Sequence, residues 1–192
     1  MAELGQDCST RNIDVYLGLG TNLGDKKANI FQALELLSAT FGRSYKRLSS
    51  LIETEPWGFD SEDQFLNCVV MYELPITIFS EAESKIHYIQ PSAKYSQEEC
   101  FGLEILRRCK AIETAMGRVE NIEYKDGKRV YHSRIIDIDI LLLGDLRLRI
   151  PASSVQTTSS NREEQRPILE VPHPLMHERE FVMMPLNEIY VR

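Results

Sequence analysis

Residues 134–144 read RIIDIDILLLG, an apolar run broken by Asp137 and Asp139. Successive side chains of a strand alternate between faces, so residues two apart share one. Ile136, Ile138 and Ile140 then point one way and both carboxylates the other. Aspartate is depleted from strand interiors, and two carboxylates side by side on a covered strand are costly unless positive charge meets them. The pattern calls for a sheet with one greasy face and a second face that gathers cations, either metal ions or basic side chains. An exposed face with solvated carboxylates is the blander alternative.

The rest of the chain divides into strands and helices around that segment. Ile13 to Leu19 reads as a strand followed by the tight turn GTNLGD, with Asn22 available for a polar contact. Asp25 can cap a helix whose apolar positions are Ile30, Ala33, Leu34, Leu37 and Phe41. A second strand is expected around Ser44 to Thr54 and a third at FLNCVVMYEL. Pro75 to Tyr88 reads as a helix start that IQPSAKYSQ interrupts. Helical spacing resumes at Phe101, Ile105, Cys109, Ile112 and Met116, with Gly117 where a capping glycine belongs. The order β-α-β-β-α-β predicts an α+β, ferredoxin-like core, an antiparallel sheet with helices packed on it. Two polar loops, EPWGFDSEDQ and RVENIEYKDGKRVYHS, are long enough to act as lids. PASSVQTTSSNREEQRP is low in complexity and reads as a poorly ordered insertion.

With 192 residues, the chain suits one domain: a tail over 1–12, a single domain over 13–192, and insertions near 91–97 and 151–167. A net charge of −7 argues against a general nucleic-acid binder. No apolar run approaches the roughly 20 residues of a membrane span, and MAELGQDCSTRN lacks the features of a secretory signal. The four cysteines, scattered without CxxC pairing, read as reduced thiols, so the cytoplasm is the expected compartment.

Arg118, Arg129, Arg134 and Arg179 could accompany the acid pair as a polyphosphate clamp, because guanidinium grips phosphate bidentately. GxxxxGK[ST] is absent, which excludes a P-loop kinase by pattern. His173 stands between two prolines that stiffen its backbone, a placement suited to a ligand contact. Phe65 and Asn67 share a strand face and Phe181 lies in the tail; a flat heterocycle would want such aromatic faces and an amide edge.

VYLGLGTNLGD, ETEPWGFDSEDQFLNCVV, IETAMGR, RIIDIDILLLG and VPHPLMHEREFVMMPLNEI occur in one order over about Ile13 to Ile189. Together they resemble the 6-hydroxymethyl-7,8-dihydropterin pyrophosphokinase family of folate biosynthesis. The resemblance implies a pyrophosphokinase domain that transfers pyrophosphate from ATP to the pterin hydroxymethyl group and releases AMP. It further implies that Asp137 and Asp139 hold two Mg²⁺ ions and that Arg118, Arg134, His173 and Arg179 contact phosphates. Arg118, Arg134, Asp137 and Asp139 would be catalytic. Glu113 and Ile140 would line the nucleotide site. Phe65 and Phe181 would sandwich the pterin, with Asn67 and the backbone near Thr54, Pro56 and Trp57 reading its edge. Three departures stand out: His132-Ser133 replaces the family's Gly-Pro, Glu120 replaces an arginine, and the lid loop has no tryptophan. The two insertions resemble those of eukaryotic or multifunctional members. They imply a chain fused to, or associated with, dihydropteroate synthase or dihydroneopterin aldolase, and a mitochondrial location if the fused enzyme is eukaryotic. Two rivals remain at this stage: a non-catalytic ligand-binding module and a D-x-D nucleotidyltransferase.

Overall fold

The fold follows from where apolar residues repeat every second or every third to fourth position. The elements run β1 (Asn12–Thr21), α1 (Lys26–Phe41), β2 (Arg47–Leu48), β3 (Ile52–Thr54), β4 (Phe65–Pro75), α2 (Gln97–Ala115), β5 (Glu123–Lys125), β6 (Lys128–Val130), β7 (Asp137–Leu143), β8 (Leu148–Pro151), β9 (Pro167–Val171) and α3 (Glu180–Ile189). The structure is a computed structural model, and it describes residues 11–55, 63–79, 95–119, 123–125, 128–130, 133–152 and 167–191.

Five strands make one antiparallel sheet in the order β2-β4-β1-β7, with β3 also on β4. The protein is therefore a mixed α/β fold built on an antiparallel sheet, with three α-helices among the described residues. β1 is the central strand. Its odd positions Ile13, Val15, Leu17 and Leu19 are buried against α1 and α2, which present Ile30, Leu34 and Leu37, and Phe101, Ile105 and Ile112. The opposite face carries a smaller core, in which Tyr16, Val69, Met71 and Leu141 meet Val182, Leu186 and Ile189 of α3. Two helices lie on one side of the sheet and one on the other.

Several expectations hold at their signals. The Asp25 side chain accepts from the Ala28 N–H at 2.9 Å and caps α1. Gly117 has φ +92, the left-handed conformation that suits glycine after α2.

Others shift. β1 continues through Gly20 and Thr21, where the sequence reads as a turn, because both still pair with β4. The strand expected over 44–54 is two short strands, separated where the Ser49 hydroxyl accepts from the Val69 N–H. α2 begins at Gln97, earlier than the apolar spacing indicates, since Ser96 and Glu99 form a reciprocal capping box. After Pro75 the chain makes a turn over 76–79, and the rest of the helix start proposed there lies outside the described residues, as do most of the insertion near 91–97 and residues 153–166 of the second. That second insertion joins β8 to β9, which pair antiparallel and pack on α2 beside Gly102. The polar stretch after Arg118 contains a short hairpin of β5 and β6.

Among the described residues, no helix is long and apolar enough to cross a membrane. Cys68 and Cys109 are buried thiols, pushed up to about 12 by loss of solvent.

Candidate active site

The site is a trough across β4, β1 and β7. On the face of β1 opposite α1 and α2, Gly18 and Gly20 have no side chains. Gly20 pairs with Asp137 on one side and Asn67 on the other, and Gly18 pairs with Asp139 and Val69. Strands in a sheet lie about 4.8 Å apart, so a bare central strand leaves a channel between the acids of β7 and the amide and aromatic of β4. α3 borders it with Phe181 and Val182, and Thr54 of β3 closes the far side. The cleft is open to solvent, with a cavity volume of about 90 Å³. The two glycines were missed as site residues by sequence reading. Their signal was the alternation in VYLGLG, which gives the strand one apolar face and one empty face.

The two aspartates behave differently. Asp137 is gripped from both sides by the guanidinium groups of Arg118 and Arg134. Burial pushes its carboxyl up, but Arg134 and Arg118 outweigh this and hold it below the ordinary aspartate value. Asp139 has Arg179 at 3.8 Å, a longer contact. Burial and then the neighbouring Asp137 charge raise its carboxyl, with His173 and Arg179 opposing only in part. Among the described residues, Asp137 thus meets two guanidinium groups at close range and Asp139 one at longer range.

Behind them, Glu113 of α2 organises the basic residues. It is 1% exposed. Its carboxylate accepts the Ile138 N–H at 2.7 Å, pairs with Arg118 at 2.9 Å, and takes both Lys110 contacts at 3.0 Å. Arg118 is thereby held between Glu113 and Asp137.

The opposite wall carries the aromatic and amide groups. The Asn67 amide nitrogen donates to the Thr54 hydroxyl at 2.8 Å, which fixes its carbonyl oxygen toward the glycine floor. Phe65 and Phe181 both line the cleft, and the Arg179 guanidinium lies 5.8 Å from the Phe181 ring centre. Arg134, Asp137, Asp139, Arg179, Thr54, Phe65, Asn67 and Phe181 thus share one cleft. Glu113 and Arg118 stand behind the acid pair. The Ile140 side chain turns into the main core. His173 sits beside β7, its N–H donating to the Leu141 carbonyl at 3.0 Å and its Nδ1 accepting from the Leu175 N–H at 3.3 Å. Burial pushes its imidazole below the usual value, against the pull of Asp139. Pro56 and Trp57 lie outside the described residues, as do Glu120, His132 and the side chain of Arg129.

The sequence matches the family model of 7,8-dihydro-6-hydroxymethylpterin-pyrophosphokinase over residues 16–91 and 86–191. The chain belongs to this pyrophosphokinase family. A 2-amino-4-hydroxy-6-hydroxymethyldihydropteridine pyrophosphokinase of Porphyromonas gingivalis is 38% identical over 91% of this chain and 89% of its own length. One from Methylorubrum extorquens is 32% identical over 91% of this chain and 80% of its own. A folic acid synthesis protein of Dictyostelium discoideum is 30% identical over 91% of this chain, which spans 19% of that longer protein. Among solved structures, an HPPK-DHPS in complex with substrates superposes with a TM-score of 0.53 at 15% identity, covering 93% of this chain and 40% of that one. That likeness concerns the pyrophosphokinase fold alone.

Proposed function

We propose that the protein transfers the pyrophosphoryl group of ATP to the hydroxymethyl oxygen of 6-hydroxymethyl-7,8-dihydropterin, in folate synthesis. The observation that carries the reading is the shared cleft. One wall has an acid pair met by arginines, the other has an amide and two aromatic rings, and Gly18 and Gly20 lie on the strand between them.

The hydroxymethyl oxygen forms a bond to the β-phosphorus, and the bond from that phosphorus to the oxygen bridging it to the α-phosphate breaks. AMP leaves with that oxygen, and the hydroxyl proton is lost to solvent. Such a displacement needs alignment and charge neutralisation more than covalent help. Phe65 and Phe181 would stack the pterin and Asn67 would read its edge, its amide fixed by Thr54. Among the described residues, Arg134 and Arg179 reach the cleft, and Arg118 stands behind Asp137; these would meet the phosphate oxygens. His173 would assist from the neighbouring loop, and Glu113 would hold Arg118 in place. Ile140 could contribute to a nucleotide site only through its backbone.

Asp137 and Asp139 fit a hard divalent cation: two carboxylates share one face of β7, and oxygen ligands suit such an ion. Among the described residues, no cluster of three or more His, Cys, Asp or Glu side chains gathers, so nucleotide oxygens and water would complete the coordination of two Mg²⁺ ions. When bound, Mg²⁺ would neutralise the triphosphate and acidify the pterin hydroxyl. The strand order β2-β4-β1-β7 supports the reading of a ferredoxin-like βαββαβ core, and the polar segments at 55–64 and 118–133 would serve as lids. A single domain over 13–192, a cytoplasmic setting, and association with or fusion to dihydropteroate synthase or dihydroneopterin aldolase complete the proposal.

The test is product identity. Purified protein given ATP, Mg²⁺ and hydroxymethyldihydropterin should release AMP only when the pterin is present. Pyrophosphate release would indicate nucleotidyl transfer, and binding without turnover would indicate a non-catalytic module.

A further inference from the structure

We infer that Asn22 is a positioning residue for the reaction: it latches the backbone of Ser133 and Arg134 and thereby sets the line along which Arg134 enters the cleft. The inference rests on the reading of Arg134 as a phosphate contact. Asn22 is 3% exposed. Its Oδ1 accepts the Arg134 N–H at 2.8 Å, its Nδ2 donates to the Ser133 hydroxyl at 2.9 Å, and its own N–H donates to the Arg134 carbonyl at 3.2 Å. A buried amide that spends its side chain and its backbone N–H on two consecutive residues far along the chain is not stabilising its own turn.

That turn is held by another residue. Asn29, in the second turn of α1, donates from Nδ2 to the Leu23 carbonyl at 2.8 Å and to the Thr21 hydroxyl at 3.3 Å. Asn29 braces the β1–α1 connection from below, and Asn22 is released to reach across. Ser133 to Ile136 precede β7 and take no part in its pairing with β1. The Asn22 bonds therefore supply the register that the ladder does not, just beyond the strand whose Gly20 pairs with Asp137. Ser133 supplies the hydroxyl that Nδ2 meets; a proline there would have none. Removing the amide would strand a buried N–H at Arg134 and loosen a guanidinium aimed at Asp137, and small misplacements of a phosphate-binding group carry large rate penalties.

A double-mutant cycle tests the latch. Asn22→Ala should lower kcat roughly tenfold or more with pterin Kd unchanged, and should add little to the defect of Arg134→Ala. Equal losses in both backgrounds would overturn the latch, as would an Arg134→Ala enzyme with normal kcat. Hydrogen exchange at the Arg134 amide reads the same bond without turnover: protection should fall in Asn22→Ala, and unchanged protection refutes the proposal. Should Asn22→Ala fail to fold, Ser133→Ala removes only the hydroxyl; a few-fold loss of kcat that vanishes in the Arg134→Ala background supports the latch, and full kcat overturns it. AMP release by the unmodified protein checks the functional reading separately.

Discussion

A Cβ placed on Gly20 would stand 2.8 Å from Asn67 Oδ1. The amide has nowhere to retreat, because its nitrogen is bound to the Thr54 hydroxyl at 2.8 Å. Gly20→Ala should therefore swing the Asn67 amide out of place and weaken pterin affinity at least about tenfold, the loss expected when a buried hydrogen bond is misaligned. Nucleotide affinity should be little changed. Calorimetric titration with each ligand separates the two, and undiminished pterin binding would mean that Asn67 does not read the heterocycle.

Asp137 and Asp139, two positions apart, should have opposite effects on stability. Asp139 is raised by burial and by Asp137, so its contribution is present below the ordinary aspartate value and is lost as pH rises through its raised value. Asp137 is lowered by its arginines despite burial, so its contribution is present above the ordinary value and is lost as pH falls through its lowered one. At pH 7 in EDTA, Asp139→Asn should raise the melting temperature. Asp137→Asn should lower it by about 2–4 °C, the change that roughly 1 kcal/mol produces in a chain of this size. Scanning calorimetry across pH 3 to 8 checks both signs.

Catalysis should demand the charge that stability disfavours. Asp139→Ala is expected to abolish AMP release while leaving the far-UV spectrum intact, and near-full activity would remove Asp139 from the metal site. Arg134→Ala should slow turnover roughly 10²-fold if its guanidinium meets charge that develops in the transition state. An unaffected rate would make it a surface residue.

Glu113 is the residue whose loss should most damage the scaffold behind the site. Glu113→Ala leaves Arg118 and Lys110 without their shared partner and the Ile138 N–H unbonded, and should cost about 3–5 kcal/mol in urea denaturation. Glu113→Gln keeps an acceptor for Ile138 and should cost clearly less. Equal losses would show that the backbone bond contributes nothing.

The sequence made the acid strand, the α1 cap and the helical stripe of α2 legible because each rests on local spacing. The cleft partners Phe65 and Asn67 were visible for the same reason, as neighbours two apart on a strand. What it concealed was non-local. Gly20 reads as a turn residue until β4 and β7 pair with it on both sides. α3 was not anticipated because Pro185 lies inside it, and proline normally argues against a helix interior; burial of Val182, Leu186 and Ile189 against the sheet outweighs that local preference. The pairing of β8 with β9 joins segments on either side of a low-complexity stretch, which no window along the chain can see. Nor does spacing reveal that two arginines converge closely on Asp137 while, among the described residues, Arg179 meets Asp139 at a longer 3.8 Å.

The register of β7 against β1 slips by one residue between Ile140 and Leu142, which leaves Leu141 without a partner across the ladder. Its side chain stays on the trough side and its carbonyl receives the His173 N–H. The three consecutive leucines are thus not interchangeable filler. Shortening that run by one would keep the acidic half of the strand aligned with Gly18 and Gly20, but would erase the offset and take away the acceptor that moors the histidine loop. Strand length here is itself part of the design of the phosphate side.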